Sequence, residues 1–177
     1  TGGIVPAGKL TLEAEDGIYI TDSMTGAASA KALVINADFD SDSTGTLTIA
    51  SSMTVTSNKS DVTITAYDID MSGSLTAGTK AVTLHGSVAA QTIGVGTTST
   101  NMQIDDTELG KLTGAGGLTM GSSTSGSISV GAVSDGNSDT IATLTLVATA
   151  SSKTITFLAA GSVFDKGIVA QATGVIT

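Results

Sequence analysis

Cysteine, arginine and tryptophan are absent from this chain of 177 residues, which also has a single proline and a single histidine. Without cysteine the fold gains nothing from disulfides, and thiolate-bound metal sites are excluded. One histidine is too few for the other common transition-metal sites. Carboxylates are therefore the better candidates for a chemical site.

Positive charge is scarce. All seven basic residues are lysines, sixteen residues are acidic, and the net charge is −9. Binding of nucleic acid needs a basic surface, and bidentate recognition of phosphate favours arginine, so nucleic acid is excluded as a partner. Apolar runs of about 18 or more residues are also missing, so the sequence predicts no membrane-spanning helix.

Threonine and serine dominate what is present, with 30 Thr and 22 Ser. Aliphatic and hydroxyl residues alternate along short segments such as residues 46–49, 62–65 and 143–146. This period-two alternation indicates half-buried β-strands, and glycine-containing turns such as residues 72–74 separate them. The sequence predicts an all-β fold. Because aromatic residues make up only 3%, its core must consist of small branched side chains.

Many short strands can build a sandwich, a barrel or a solenoid. A solenoid core consists of stacked aliphatic rows and needs no large aromatic anchors, which favours a right-handed parallel β-helix. An elongated β-sandwich is the alternative. Coils of roughly 20 residues rising about 4.8 Å each predict about nine coils in a rod about 40 Å long.

One segment breaks the strand pattern. Residues 105–112 begin with an Asp suited to an N-cap and place Leu109 three residues before Leu112. This spacing predicts a single helical turn.

The chain is interpreted as one β-solenoid module, residues 1–177. Its start has no initiating Met and no signal-peptide pattern, which is typical of a processed segment or part of a longer protein. Related phrases occur at the two ends, TGGI in residues 1–4 and TGVI in residues 173–176, and neither end has a charged helical cap. Chance recurrence in a Thr/Gly-rich sequence is one interpretation of these phrases. The other interpretation is that the chain is one unit of a longer array or filament.

Three phrases carry a family resemblance: residues 45–49 (GTLTI), 61–75 (DVTITAYDIDMSGSL) and 117–121 (GLTMG). They resemble the filamentous-haemagglutinin-like β-helical repeats of large extracellular surface and adhesin proteins, of bacterial or microalgal type. The resemblance covers roughly residues 9–130. It implies a right-handed parallel β-helix, an extracellular place and an adhesive or fibrous role. Coil lengths are irregular here, and the secretion domain that opens those adhesins is missing.

Catalysis finds little support in the sequence. The one histidine, His85, follows the apolar Leu84 and is expected to face outward on a strand. No nucleophile elbow stands at a strand–turn–helix junction. Polysaccharide-cleaving sites would need basic and aromatic residues to hold sugar, and arginine and tryptophan are absent. The sequence predicts that the chain is not an enzyme.

Two acidic loops are the candidate Ca²⁺ sites. Asp38, Asp40 and Asp42 stand at alternate positions before a glycine turn, and Ca²⁺ takes several oxygen ligands from one loop. The full EF-hand motif fails, because Ser43 and Ile49 stand where glycine and glutamate belong. Solvated acidic turns are the alternative interpretation of both loops. The second and weaker candidate loop comprises Asp135, Asn137 and Asp139.

Glycosylation and surface binding are further hypotheses. Asn58-Lys59-Ser60 fits the acceptor for an N-linked glycan. Threonine rows on a solenoid can order water, and their unequal spacing here argues against regular stacking. The Thr-x-Thr phrases are residues 46–48, 54–56, 63–65, 143–145 and 154–156.

Together these features predict a structural module, extracellular or at a cell surface, that assembles end to end or in tandem into a fibre or filament. Its expected partners are copies of itself, with glycans as a further candidate and no membrane span. No cofactor is expected other than Ca²⁺. The alternative function is an adhesin stalk or a glycan- or ice-binding β-solenoid.

Overall fold

The computed structural model describes residue 4 and residues 6–25, 31–96 and 98–177. These residues form short strands, one helical turn α1 (Asp106–Leu109) and one 3₁₀ turn (Asp135–Asn137). The strands are β1 (Leu10–Glu13), β2 (Ile18–Ile20), β3 (Met24–Thr25), β4 (Leu33–Asn36), β5 (Thr46–Ile49), β6 (Thr54–Thr56), β7 (Val62–Ala66), β8 (Asp68–Met71), β9 (Ser74–Gly78), β10 (Val82–Gly86), β11 (Ile93–Gly96), β12 (Met102–Ile104), β13 (Leu112–Gly114), β14 (Leu118–Ser122), β15 (Ile128–Gly131), β16 (Thr143–Ala148), β17 (Ile155–Phe157) and β18 (Gly167–Ala172).

The strands line three faces, which the chain visits in turn. The long sheet has the order β1-β4-β7-β10-β14-β16-β18. The second face consists of β2-β5-β8 followed by β12-β11-β15-β17, and the third face of β13-β9-β6-β3. Every described strand pair is parallel.

This topology is that of a parallel β-helix, so the predicted fold class is confirmed. Sandwiches are built from antiparallel sheets, so the parallel pairing excludes the alternative. The right-handed sense stays a prediction, since strand pairing defines neighbours and not the hand of the coil.

Aliphatic rows run the length of the long sheet. Side chains that face the core alternate with outward-facing ones, and each core position stacks on the same position of the next coil. A fully buried Leu or Ile contributes about 1.5–3 kcal/mol through removal of apolar surface from water. One row is Leu10, Leu33, Val62, Val82, Leu118, Leu144 and Ile168, and its neighbour is Leu12, Ile35, Ile64, Leu84, Met120, Leu146 and Ala170.

The described residues give the long sheet seven strands, so the prediction of about nine coils is wrong. The cause is the variable coil length: 20 residues separate Val62 from Val82, but 36 separate Val82 from Leu118. The additional residues lie between the strands of the long sheet, whose register stays constant.

The longest coil contains an inserted rung and the helical turn. After β11 the chain returns through β12, which pairs with β11 in parallel and lies on the side of β8. Asp105 caps α1 in a capping box with Glu108, and Leu109 is buried. The predicted helical turn is confirmed, although it ends at Leu109 and Leu112 belongs to β13.

Candidate functional site

The N-terminal end of the rod presents an open apolar cleft. It has a volume of about 290 Å³. Tyr19 is 66% exposed beside it, while Leu12 and Ile18 are half-buried core-facing residues of the first coil. Among the described residues, the cleft is therefore the end of the core that no further coil covers. Its lining consists of Ile4, Leu12, Ile18, Tyr19, Ile20, Thr21, Asp22 and Met24.

Exposed large hydrophobic side chains within the described residues concentrate at the two ends. Three lie at or beside the first coil, where the amide of Phe39 donates to the carbonyl of Ala14. Seven lie in the last two coils. The N-terminal group is Ile4, Tyr19 and Phe39, and the C-terminal group is Phe157, Leu158, Val163, Ile168, Val169, Val175 and Ile176.

The ends also differ in charge. The first coil contains one lysine and four acidic residues, which gives residues 6–25 a net charge of −3. The last coils contain Lys153, Lys166 and Asp165, which gives residues 143–177 a net charge of +1. The two ends are therefore electrostatically complementary.

The first acidic loop is organised around a buried carboxylate. Asp38 is fully buried and accepts hydrogen bonds from the amides of Asp42 (3.1 Å) and Ser43 (3.3 Å) and from the hydroxyl of Ser87. Gly45 closes the loop, because a Cβ there would lie 1.9 Å from the carbonyl oxygen of Ala37. The buried carboxylate thus holds the corner between β4 and β5.

The three predicted ligands of this loop do meet. Carboxylate oxygens of Asp38, Asp40 and Asp42 lie within 4.8 Å of one another. Desolvation and the neighbouring carboxylates of Asp42 and Asp38 raise the pKa of Asp40. Asp42 also accepts from the amide (3.1 Å) and hydroxyl (2.6 Å) of Thr44. One oxygen from each residue supplies three of the six to eight oxygen ligands that Ca²⁺ takes, and Ca²⁺ binding stays a prediction.

At the second acidic loop the structure adds a carboxylate to the predicted residues, and Ca²⁺ binding by Asp135, Asn137 and Asp139 stays a prediction. Asp165, which follows β17, joins Asp135 and Asp139. Asn137 instead donates its amide to the carboxylate of Asp106 at 2.8 Å. The contribution of Asp165 comes from the next coil, and no local sequence pattern identifies it.

His85 and Asn58 occupy ordinary positions on the coils. The ring nitrogens of His85 lie 3.2 Å from the hydroxyl oxygen of Thr65 and 3.2 Å from the carbonyl oxygen of Gly86. Asn58 has a φ of 55° in the turn between β6 and β7, and the hydroxyl of the buried Ser60 accepts from the amide of Lys31. Glycosylation of Asn58 stays a prediction.

The second face is divided between β8 and β12, which belong to separate sheets. This boundary, called the seam below, was not anticipated from the sequence. The amide of Met71 donates to the Glu108 carboxylate at 2.8 Å, and the Lys111 ammonium donates to the Met71 carbonyl at 3.0 Å. The amide of Gln103 donates to the Asp68 carboxylate at 2.9 Å. Side chains therefore replace part of the strand ladder here. The only sequence signal was the Asp-x-x-Glu capping box.

The two carboxylates of the seam, those of Asp68 and Glu108, both have raised pKa values. Burial raises the pKa of Glu108. The hydrogen bonds from the amides of Asp105 and Met71 oppose this rise, and the charges of Asp105 and Asp68 add to it. Burial likewise raises the pKa of Asp68, aided by Asp70. Asp106, on the outer side of α1, behaves in the opposite way. Its partial burial is outweighed by hydrogen bonds from Ser134 and Asn137, which lower its pKa.

Outward-facing threonines form two stacked ladders, although the Thr-x-Thr phrases have unequal spacing. The strand register stays constant where coil length differs, so four successive strands contribute one threonine each to a ladder. In the long sheet the ladder ends at Val34 on one side and at Val169 on the other. The Thr-x-Thr phrases themselves fall on different faces. The ladders are Thr63, Thr83, Thr119 and Thr145 on the long sheet, and Thr25, Thr56, Thr76 and Thr113 on the third face.

Comparison of the chain with protein-family models, with curated proteins and with solved structures finds no match. In the part of the chain that the structure describes, no helix has the length and apolar character needed to cross a membrane.

Asp38 and Asp40 form a matched pair for testing the acidic loop. Asp38→Ala removes the acceptor of two amides and one hydroxyl, and an unsatisfied buried donor costs roughly 1–3 kcal/mol. We expect a loss of at least that order in the free energy of unfolding, measured by urea titration. Asp40→Ala removes an exposed, repelled carboxylate of the same loop and should not destabilise the chain. Equal effects of the two substitutions would contradict this account of the loop.

The seam predicts a pH dependence with a definite sign. A raised pKa means that the folded chain binds the proton of Glu108 more tightly than the unfolded chain does. Ionisation of Glu108 therefore lowers the free energy of unfolding as pH rises from about 4 through the folded-state pKa of this residue. Glu108→Gln keeps an acceptor for Met71 and cannot titrate. The stability of this variant relative to the unmodified chain should increase between about pH 4 and pH 7.

The matched control for this comparison is Glu15→Gln, which removes the same charge from an exposed turn. Urea unfolding followed by circular dichroism at several pH values measures both differences. The prediction is contradicted if, after subtraction of the control, the stability of Glu108→Gln relative to the unmodified chain stays constant or falls as pH rises. In that case ionisation of Glu108 does not destabilise the folded chain.

Proposed function

We propose that this chain is a structural module of an extracellular or cell-surface fibre, and that it assembles through its two ends. The observation that carries the proposal is the segregation of exposed apolar surface. Outward side chains along the rod are mainly hydroxylated, whereas the exposed large hydrophobic residues lie at the ends. Exposed apolar patches of this kind mark interaction surfaces.

Unpaired strand edges support the same proposal. Among the described residues, β1 pairs only with β4, and β18 pairs only with β16. Natural proteins usually cover or blunt such edges because they template further pairing. Neither β1 nor β18 has a described helix packed over it. The open edges and the apolar ends therefore occupy the same two surfaces.

A structural role also accounts for the polar groups that sequence reasoning considered for chemistry. Asp38 fixes a corner loop, Glu108 completes the seam, and the Asn137 amide binds Asp106. Their donors and acceptors serve the fold. We therefore propose that the module is not catalytic.

The same proposal includes an extracellular location, an adhesin-like character and a relationship to filamentous-haemagglutinin-like repeats. They are supported by the repeat phrases and the acidic, hydroxyl-rich composition. Glycans on Asn58 or on serine and threonine patches would suit such a surface.

Electron microscopy of the purified chain at high concentration tests the proposal. We expect filaments with an axial repeat of about 34 Å, since seven strands stack at about 4.8 Å each. Ile168→Lys should abolish them, because Ile168 is a core-facing residue at the open end and a buried unpaired charge is costly.

The matched control is Thr145→Lys, which adds the same charge at an outward-facing position of the same sheet, one coil further in. Its filaments should persist, and circular dichroism should show both variants folded. Monodisperse monomers of the unmodified chain at every accessible concentration would refute end-to-end assembly.

The threonine ladders favour a second candidate function, a water-ordering face for ice or glycan binding. Hydroxyls repeat along each ladder at the inter-strand spacing of about 4.8 Å. The adjacent outward row of the long sheet is mixed, with Asn36, Thr65 and His85, so the ladder is one residue wide. Thermal hysteresis that is lost in Thr83→Lys and Thr119→Lys, and kept in Thr48→Lys on the second face, would support this function. No hysteresis in the unmodified chain would remove ice as the ligand.

A further inference from the structure

The long sheet keeps one register through all its described pairings. Six consecutive strand pairs show no shift between partners. The positions that its two end strands present to a neighbour are therefore defined residue by residue.

The backbone N–H and C=O groups of this sheet point toward the following coil at core-facing residues and toward the preceding coil at outward-facing residues. At core-facing positions the amide of Leu33 donates to the carbonyl of Asp61 at 3.0 Å. The amide of Val62 likewise donates to the carbonyl of Ala81 at 3.0 Å. In a parallel ladder the intervening outward-facing residues direct these groups toward the preceding coil. The two ends of the sheet thus expose different sets of residues.

These two exposed sets are complementary. The free edge of β18 offers the amides and carbonyls of Ile168 and Ala170, which face the core. The free edge of β1 offers those of Thr11 and Glu13, which face outward. A parallel pairing that sets Ile168 opposite Leu10 satisfies both sets and continues the ladder of the rod.

Building on the proposed function, we infer that copies of this chain join head to tail through the long sheet, in register. In this joint β18 of one copy pairs in parallel with β1 of the next, with Ile168 opposite Leu10 and Ala170 opposite Leu12. The ladder then passes from one copy into the next without interruption.

Side chains and charge favour this arrangement over the pairing of like ends. The small Ala170 leaves room for Leu12, and the partly exposed Ile168 covers Leu10. The first coil at −3 and the last coils at +1 attract each other, whereas two first coils repel. A head-to-tail contact that does not close into a ring produces an open polar filament.

Disulfide trapping tests the joint, because the unmodified chain has no cysteine. The register places Thr11 of one copy opposite Val169 of the next, on the exposed outward side. Strand spacing of about 4.8 Å lies within the Cα separation that a disulfide spans. When Thr11→Cys and Val169→Cys chains are mixed at assembly concentration and oxidised, we expect the band in non-reducing gels to shift from monomer to dimer. Either variant oxidised alone should stay monomeric.

A second set of variants tests the register of the pairing between β18 of one copy and β1 of the next. Glu13→Cys mixed with Gln171→Cys is the other in-register pair and should also give dimer. Glu13→Cys mixed with Val169→Cys is displaced by two residues, about 6.7 Å along the strand, and the dimer band should be lost. All four positions are exposed, so accessibility to oxidant is matched.

The outcomes separate this inference from the proposed function. Filaments of the unmodified chain combined with dimers from a single variant alone would mean that like ends meet, and would overturn the polar joint. Filaments combined with equal trapping of displaced pairs, or with no trapping, would overturn the register. Absence of any assembly by electron microscopy would overturn the proposed function together with this joint.

Discussion

The structure depends on the parallel backbone ladder of the long sheet. Each strand bonds one neighbour through its core-facing residues and the other through its outward-facing residues. Neighbouring strands belong to successive coils, so a coil is complete only when another coil lies on each side of it. This constraint fixes the register of the aliphatic rows. Within the part of the chain that the structure describes, it also leaves unpaired backbone groups and partly exposed core side chains at the two ends of the rod.

Outside the long sheet, the number of residues per coil varies, and the additional residues lie between the strands of that sheet. The second face shows a consequence of this variation. Where the rung β12 is inserted, the carboxylates of Asp68 and Glu108 supply acceptors at the seam. Burial and mutual repulsion make these carboxylates costly to ionise. The buried Asp38 supplies the acceptor in the corner loop of the second coil.

Sequence reasoning could reach the strands but not their stacking. Alternation in segments such as β5, β7 and β16 identifies a core-facing and an outward-facing side, and the absence of large aromatics favours stacked rows. The same alternation occurs on every face, so it cannot show which strands are neighbours. It therefore cannot reveal that coil length varies, which is why the coil count was wrong. Partners brought together across coils, such as Met71 with Glu108 and Asp165 with Asp135, leave no local pattern. The proximity of Asp38, Asp40 and Asp42 could be predicted because all three belong to one turn.

The central claim is that the two free edges of the long sheet bond to each other between copies. Amide hydrogen exchange, followed residue by residue from dilute to concentrated solution, tests it most directly. The account predicts that the amides of Ile168, Ala170, Thr11 and Glu13 become protected as concentration rises, while the amide of Leu84 in the middle of the rod does not change. Exchange at these four amides that is independent of concentration, in samples that contain filaments, would contradict it.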